Sequence, residues 1–173
     1  MSEITVRLRR GNPDDAELVL GLLDEAVAWL VARGQPGQWG TEPFSENPAR
    51  VAQVRGWAGG TGLWIAELAG SGVGVLVVGE APAYAGPAED NESYITLLLA
   101  SRAHAGLGLG SKLVEHAVAL AQAEGRDVLR VDCWAGAPSL VAWYERQGFE
   151  RTTTFDLNGW RGQLFRMPVT TVR

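Results

Sequence analysis

The sequence predicts a mixed α/β domain in which strands and helices alternate along the chain. Three observations support this fold class. Runs of strand length are apolar or alternate apolar and polar residues, longer stretches have the apolar spacing of helices, and turn residues separate the two. The predicted order is β-α-α-β-β-β-α-β-α-β-β. Because the 173 residues contain no internal repeat and no linker, we expect one domain over residues 1–173.

The first part of the chain predicts one strand and two helices. The strand is expected in "ITVRLRRG", where apolar and polar side chains alternate. The first helix has Asn12 as its N-cap, Pro13 at its first position and Gly34 as its stop. After the loop "QPGQWGTEPFSE", a shorter helix repeats the same start at Asn47 and Pro48.

The remaining elements begin with a hairpin. Two strands around a Gly-Ser-Gly turn are predicted in "GLWIAELAGSGVGVLVVGE". A loop rich in proline, alanine and acidic residues leads to "SYITLLLA", which is typical of a strand buried on both faces. A glycine-rich segment and its helix follow, then the strand "VLRVDCW", a helix from Pro138 to a stop at Gly148, and a closing hairpin that turns at Asn158-Gly159.

Composition and charge exclude several classes of protein. Hydrophobic residues make up 46% and charged residues 20%, which is ordinary for a soluble globular protein. The net charge of −5 and the scattered basic residues disfavour a nucleic-acid partner. No apolar run approaches the roughly 20 residues that cross a bilayer, so no membrane partner is expected. With Cys133 as the single cysteine and no signal peptide, we expect a cytoplasmic protein. Two histidines and one cysteine without ligand spacing predict no metal site.

The segment "RAHAGLGLGSK" places three glycines, Gly106, Gly108 and Gly110, where a helical pattern begins. A helix N-terminus has free N–H groups and a partial positive charge, which attract phosphate. Glycine turns the N–H groups of the loop inward and lets a ligand approach without meeting a Cβ. The segment therefore predicts a phosphate cradle, to which Ser111 adds a hydroxyl and Lys112 a charge. A flexible turn without a ligand is equally compatible with the glycines alone.

The spacing of this segment differs from the two common nucleotide motifs. A Walker loop needs Gly-Lys-Ser/Thr, whereas the order here is Gly110-Ser111-Lys112. The dinucleotide fingerprint needs G-x-G-x-x-G, whereas the spacing here is G-x-G-x-G. Binding of ATP or NAD is therefore disfavoured.

A second motif, "APSLVAWYERQGFE", lies one strand after the glycine helix. Together the two segments resemble the GNAT superfamily of acetyl-CoA-dependent N-acetyltransferases. Gly108 and Gly110 match the small positions of that family's pyrophosphate motif, Arg/Gln-x-x-Gly-x-Gly/Ala. Tyr144, Gly148 and Phe149 match the end of its later motif. The resemblance covers essentially the whole chain, because the order of elements also matches.

The resemblance implies a GNAT fold, with a mostly antiparallel mixed sheet, a splayed central pair of parallel strands and flanking helices. It also implies that acetyl-CoA enters between the splayed strands. Its pantetheine is expected to pair with the backbone of the first of those strands, and its pyrophosphate is expected on the glycine turn. The implied acetyl-CoA contacts are Leu98, Leu99, Ala100, Ala105, Gly106, Leu107, Gly108, Leu109, Gly110, Ser111, Ser139 and Tyr144.

Two positions depart from the family motifs. Ala105 replaces the usual Arg or Gln, so a polar contact to the pyrophosphate is missing, and Arg102 or His104 is the candidate replacement. Ala137 replaces the usual Asn of the later motif. Both departures permit an alternative function, a non-catalytic acyl-CoA-binding or sensing domain that has the same fold.

The implied reaction is the transfer of an acetyl group from acetyl-CoA to a primary amine of a small molecule or peptide, by direct attack. The resemblance assigns Tyr144 as the acid that protonates the CoA thiolate, and a phenol pKa near 10 suits a thiolate pKa near 8.5. A core aromatic is the competing interpretation of Tyr144. Relatives carry the base on the strand before the glycine loop, where the aligned residue is Tyr94. Glu92 lies two residues earlier and is the candidate base, with Glu80 and Asp132 as competitors.

The family's acceptor-binding segments carry aromatic and acidic residues in this chain. Aromatic walls with carboxylates suit a cationic amine, although packing under loops explains large aromatics equally well. The candidate acceptor-binding residues are Trp39, Tyr84, Asp132 and Trp134. The identity of the amine stays open, as does the pairing of the closing hairpin into a homodimer.

Overall fold

A computed structural model of the protein describes residues 5–170. Ile4, near the start of the predicted first strand, lies outside the described residues. The strands are β1 (Val6–Arg10), β2 (Leu63–Leu68), β3 (Ser71–Gly79), β4 (Glu92–Ala100), β5 (Val128–Trp134), β6 (Glu150–Leu157) and β7 (Trp160–Pro168). The helices are α1 (Ala16–Ala32), α2 (Pro48–Gly59), α3 (Leu109–Ala123) and α4 (Pro138–Arg146). The predicted order of elements is confirmed.

Backbone hydrogen bonds connect the strands in the order β1-β2-β3-β4-β5-β7-β6. The pairs β1–β2, β2–β3, β5–β7 and β7–β6 are antiparallel, whereas β4–β5 is parallel. The predicted fold class, a mostly antiparallel mixed sheet with one parallel pair and helices, is therefore confirmed. Backbone contacts divide the chain into two compact units, 1–77 with 97–113 and 78–96 with 114–173. The single domain stays a prediction.

The first unit has a hydrophobic core built on α1. The buried residues of this helix recur at three- and four-residue spacing, which places them on one face. They pack in one cluster with α2, the strands β2 and β3, and the end of β4. The cluster includes Val19, Leu23, Val27, Phe44, Val54, Leu63, Ile65, Val75, Leu97 and Leu99. In the part of the chain that the structure describes, no helix is long and apolar enough to cross a membrane.

A reciprocal cap starts α1. The side chain of Asn12 accepts the Asp14 N–H at 2.9 Å, and the Asn12 N–H donates to the Asp15 carboxylate at 2.9 Å. Arg9 donates to both oxygens of Asp15, at 2.8 and 2.9 Å. The predicted N-cap at Asn12 is confirmed, although a short 3-10 turn at 13–15 comes first and α1 begins at Ala16.

The turn between β2 and β3 differs from the predicted Gly-Ser-Gly turn. Ser71 already pairs with Leu68, so the turn consists of Ala69 and Gly70, at φ 51° and 83°. Two successive residues at positive φ suit the right-handed twist of a hairpin. The predicted turn at Asn158-Gly159 is confirmed, with φ 51° and 86°.

The second unit contains the start of β4, β5, the β6–β7 hairpin and α4. β6 is exposed along most of its length and has an irregular register between Arg151 and Thr154. The buried Gln163 on β7 donates to the carbonyls of Thr152 and Thr153 at this irregularity, at 3.5 and 3.3 Å. β4 was predicted to be buried on both faces, and the exposed Thr96 is the exception.

Candidate active site

The glycine turn leads into α3 in the first unit. Gly106 and Gly108 have φ values of +88° and +69°, in the left-handed region that favours glycine. A Cβ added at either position would meet no atom within 4 Å. The backbone conformation therefore requires these glycines, and the space around the turn is open. Gly110 lies inside the first turn of α3.

The amides of this turn are available to a ligand. Within residues 5–170, the N–H groups from Gly106 to Ser111 donate to no protein acceptor. The first of the following amides to be bonded is that of Lys112, which donates to the Gly108 carbonyl at 3.1 Å. Unbonded amides at a helix N-terminus match the acceptor oxygens and the negative charge of a phosphate. The turn, with Leu107 and Leu109 contributing through their backbone, therefore fits a pyrophosphate.

The strand β4 continues past the end of its parallel pairing. The ladder to β5 joins 92–95 to 128–131, and its last pair is Ile95 with Val131. Leu98, Leu99 and Ala100 lie beyond that pair. Because the Leu99 side chain belongs to the core of the first unit, its backbone is the part that can meet a ligand.

Arg102 and His104, the candidate replacements at Ala105, are tied to neighbouring groups. The Arg102 guanidinium lies 3.8 Å from the centre of the Trp29 ring, and the Arg102 N–H donates to Glu25 at 2.9 Å. His104 Nδ1 lies 3.2 Å from Ser101 Oγ. Ala105 itself is exposed. The structure thus shows a stacking role for Arg102.

In the second unit, β4 and β5 bring Tyr94 and Asp132 together. The Tyr94 hydroxyl donates a short hydrogen bond to Asp132 Oδ2. Burial raises the pKa of Asp132, while the hydrogen bond from Tyr94 and the charge of Arg130 act in the opposite direction. Burial, reinforced by the Asp132 charge, also raises the pKa of Tyr84 to about 12. Asp132 is therefore the centre of a site where negative charge is poorly solvated.

Glu92 is paired with a cation. Its carboxylate lies 3.1 Å from Arg130 Nη1, and the two side chains are 7% and 8% exposed. The Nη2 of Arg130 donates to the Ala85 carbonyl at 2.8 Å. This pairing argues against Glu92 as a base, because a proton taken up by Glu92 would leave the buried guanidinium without its counter-charge. The competitor Glu80 is exposed beyond the end of β3.

Tyr144 lies in an aromatic core. It is 5% exposed, and its ring centre is 5.3 Å from that of Phe165 and 5.8 Å from that of Phe149. Burial raises the pKa of Tyr144, with smaller contributions from Cys133 and Asp132. These contacts agree with the core interpretation of Tyr144, and its role as an acid stays a prediction.

The acceptor-binding candidates are distributed over both units. Tyr84, 39% exposed, stacks on Phe155 with 5.0 Å between ring centres, and Phe155 lies 5.8 Å from Trp160. Trp134 packs over Gly136, where an added Cβ would come within 2.3 Å of the indole. Trp39, in the first unit, packs against the core there.

Ser139 is exposed in the first turn of α4. The sequence interpretation gave no role to Phe155 or Arg130. It aligned Tyr94 with the family's base without recognising its bond to Asp132. The signal in the sequence that could have indicated this bond was an acidic residue, Asp132, in a strand that is mostly buried. Across residues 5–170, no group of three or more His, Cys, Asp or Glu side chains is arranged to hold a metal ion.

Comparison with known proteins adds the family. An acetyltransferase from Thermus thermophilus superposes with a TM-score of 0.72 at 20% identity, over 97% of this chain and 99% of that one. The protein yncA from Salmonella typhimurium, solved with its cofactor acetyl-CoA, has a TM-score of 0.67 at 17% identity, over 99% of this chain and 97% of that one. The ribosomal-protein-S18-alanine N-acetyltransferase from Escherichia coli has a TM-score of 0.64 at 13% identity, over 98% and 97%.

These three likenesses show the fold alone, because their identities are low. No curated protein sequence matches the chain. A model of the acetyltransferase (GNAT) family matches residues 22–149, which is more than half of the chain. The chain therefore belongs to the GNAT acetyltransferase family.

Proposed function

We propose that this protein transfers an acetyl group from acetyl-CoA to a primary amine of a small molecule or peptide. One observation carries the proposal: the glycine turn offers its unbonded amides at the start of α3 in a chain of the GNAT family. A pyrophosphate is a strong acceptor with two negative charges, so it matches these donors. A structural relative solved with acetyl-CoA supports the choice of ligand.

The residues of this chain would hold acetyl-CoA through the backbone. The amides of 106–111 would bind the pyrophosphate, and the backbone of 98–100, beyond the end of the β4–β5 ladder, would pair with the pantetheine. Acetyl-CoA supplies the activated thioester. Tyr144 stays the proposed donor of a proton to the departing thiolate, and the base is assigned below to Asp132 instead of Glu92.

Calorimetric titration with acetyl-CoA tests the turn. Gly108→Ala places a methyl group in the open space before the amides and strains a left-handed residue. Gly125→Ala is a matched control, because Gly125 has φ +71° and no atom within 4 Å of its Cβ position. Losing hydrogen bonds to a charged group costs about 1.5–3 kcal/mol, so we expect Gly108→Ala to weaken binding by about 10- to 100-fold. Gly125→Ala should bind as the wild type does.

Release of the CoA thiol in the presence of a panel of primary amines tests catalysis. We expect at least one amine to accelerate release, and Tyr144→Phe to lower kcat more than it raises KM. If acetyl-CoA binds but no amine accelerates release, the protein is the non-catalytic acyl-CoA-binding domain. If saturating acetyl-CoA produces no heat and no change in melting temperature, both functions are wrong.

A further inference from the structure

Asp132 has one oxygen engaged and one open. Oδ2 accepts the hydroxyl of Tyr94. Among the residues that the structure describes, none donates a hydrogen bond to Oδ1. A carboxylate carries two oxygens that each accept hydrogen bonds. Among the described residues, Oδ1 of Asp132 is not one of the buried atoms that lack a partner, so solvent reaches it and it is open to a donor from outside the chain.

Among the residues that the structure describes, none forms an ion pair with Asp132. The other acidic side chains nearby have one: Glu92 pairs with Arg130, and Glu89 pairs with Arg166 at 3.0 Å. Arg130 influences Asp132 through space, but its donors are directed to Glu92 and the Ala85 carbonyl. On β7, the residue paired with Asp132 is the apolar Leu164.

Apart from the Arg130 guanidinium, which pairs with Glu92, the groups that surround Asp132 are neutral. A phenol faces it from the loop before β4, another from β4 and a third from α4, while a guanidinium and a thiol lie beside it on β5. These groups are Tyr84, Tyr94, Tyr144, Arg130 and Cys133. Burial and the Asp132 charge raise the pKa of Cys133 to about 12, so the thiol is neutral at physiological pH. A carboxylate that has no ion pair of its own in such surroundings can bind a further cation.

Aromatic side chains lie near this carboxylate, because the Asp132 charge acts on Tyr84 and Phe155 packs against the cluster that contains Tyr94. Tyr84 stacks on Phe155, which in turn contacts Trp160. Phe155 packs over Gly162, where an added Cβ would lie 2.2 Å from the ring, so only glycine leaves room for this ring. The faces of aromatic rings attract ammonium ions. The site thus combines one open carboxylate oxygen with neighbouring aromatic side chains.

We infer that the acceptor binds as a primary ammonium ion, and that Asp132, oriented by Tyr94, takes its proton. This inference rests on the proposed function. Asp132 is the catalytic residue and Tyr94 the positioning residue, since Tyr94 acts through Asp132.

One N–H proton of the ammonium passes to the Asp132 carboxylate, leaving a neutral amine. The nitrogen lone pair attacks the thioester carbonyl carbon, the C–N bond forms, and the C–S bond then breaks with its electron pair going to sulfur. The second proton lost by nitrogen neutralises the thiolate, directly or by way of Tyr144. The proton on Asp132 is released to water, so the net products are the amide, CoA thiol and one proton.

The test uses a binding probe in addition to activity. Asp132→Asn keeps an oxygen for Tyr94 and removes the charge, and Asp156→Asn is the same change at an exposed aspartate on β6. n-Butylammonium is titrated into each protein by calorimetry, with n-butanol as the uncharged comparison. We expect Asp132→Asn to weaken n-butylammonium binding by at least about tenfold and Asp156→Asn to leave it unchanged, whereas n-butanol should bind both variants equally.

The pH profile of kcat/KM, measured with the best amine of the panel, provides the second readout. Its acid limb reports the free enzyme's base. We expect this limb to vanish in Asp132→Asn. In Tyr94→Phe it should move to higher pH, because the lost hydrogen bond had stabilised the charged carboxylate.

Two results would overturn the inference. In the first, n-butylammonium binds Asp132→Asn as strongly as the wild type, or binds neither protein. In the second, the acid limb of the pH profile survives in Asp132→Asn. Acetyl-CoA titrations of the same proteins separate this failure from that of the proposed function. If acetyl-CoA binds but Asp132→Asn changes neither n-butylammonium binding nor the acid limb, the inference is wrong and the proposed function still stands.

Discussion

At the scale of single residues, the buried pair of Glu92 and Arg130 has a measurable structural role. Removing one member of a buried pair costs about 3–5 kcal/mol, because the other charge stays buried, whereas replacing both by apolar residues is often neutral. We expect Glu92→Leu to lower the free energy of unfolding by about that amount. The double variant with Arg130→Met should recover most of it, as measured by urea denaturation.

The pair of Glu89 and Arg166 is the control for this cycle. Its side chains are 38% and 32% exposed, so its coupling should be about 1 kcal/mol or less. If the losses at Glu92 and Arg130 simply add in the double variant, the two side chains do not stabilise each other. Glu92 would then again be available as a base.

We expect the ionised side chain of Asp132 to lower the free energy of unfolding at neutral and basic pH. Burial raises its pKa in the folded protein, so the folded state binds the proton more tightly than the unfolded chain does. The free energy of unfolding is therefore highest below the ordinary aspartate pKa. It falls as pH rises from there through the pKa of Asp132 in the folded protein. Asp132→Asn should therefore be more stable than the wild type at pH 8, and the difference should shrink as pH falls towards about 4. A difference independent of pH would contradict this expectation.

Asp132 also shows what the sequence reveals about single residues. Gly108 was identifiable because a left-handed turn before a helix requires glycine, which is a local property. The bond from Tyr94 to Asp132 and the ion pair of Glu92 depend on how two parallel strands are aligned. That register is a long-range property, so counting residues along β4 placed Glu92 near Tyr94 without revealing that Arg130 neutralises it.

At the scale of elements, Asp15 both caps the start of α1 and forms an ion pair with Arg9. The pKa of Asp15 is shifted in the opposite direction to that of Asp132. The hydrogen bonds from Arg9 lower the pKa of Asp15. The stability that Asp15 contributes is therefore present above the ordinary aspartate pKa and is lost as pH falls through the folded value. We expect Asp15→Asn to cost about 1–2 kcal/mol at pH 7 and less in acid. Urea denaturation at several pH values measures it, and an equal cost at all pH values would contradict the assignment.

The elements themselves were predictable where their signals are local. The Asn-Pro starts at Asn12 and Asn47 and the Asn158-Gly159 turn are confirmed, because caps and tight turns are specified by adjacent residues. The turn between β2 and β3 was placed one residue late. In a run rich in glycine and serine, the pairing of Ser71 with Leu68 decides where the strand begins, and pairing is not visible locally.

At the scale of the whole molecule, the family and the arrangement of the sheet were predictable from the two motifs and the order of elements. The motifs and the order of elements both reflect how the chain connects the strands and helices of the fold. The division of the chain into two compact units was not predicted. Each unit interrupts the other in sequence, and composition does not change at their limits.

Ligand binding should stabilise the whole chain against unfolding. A ligand that binds the folded state alone adds about 2.7 kcal/mol at a concentration 100 times its Kd, and 1 kcal/mol raises the Tm of a chain of this length by about 2–4 °C. We expect acetyl-CoA at that excess to raise the Tm by about 5–11 °C. Acetyl-pantetheine at the same concentration lacks the pyrophosphate that would contact the amides of 106–111, so its shift should be much smaller. Equal shifts would mean that the glycine turn does not bind the pyrophosphate, since the thioester end alone would then account for the affinity.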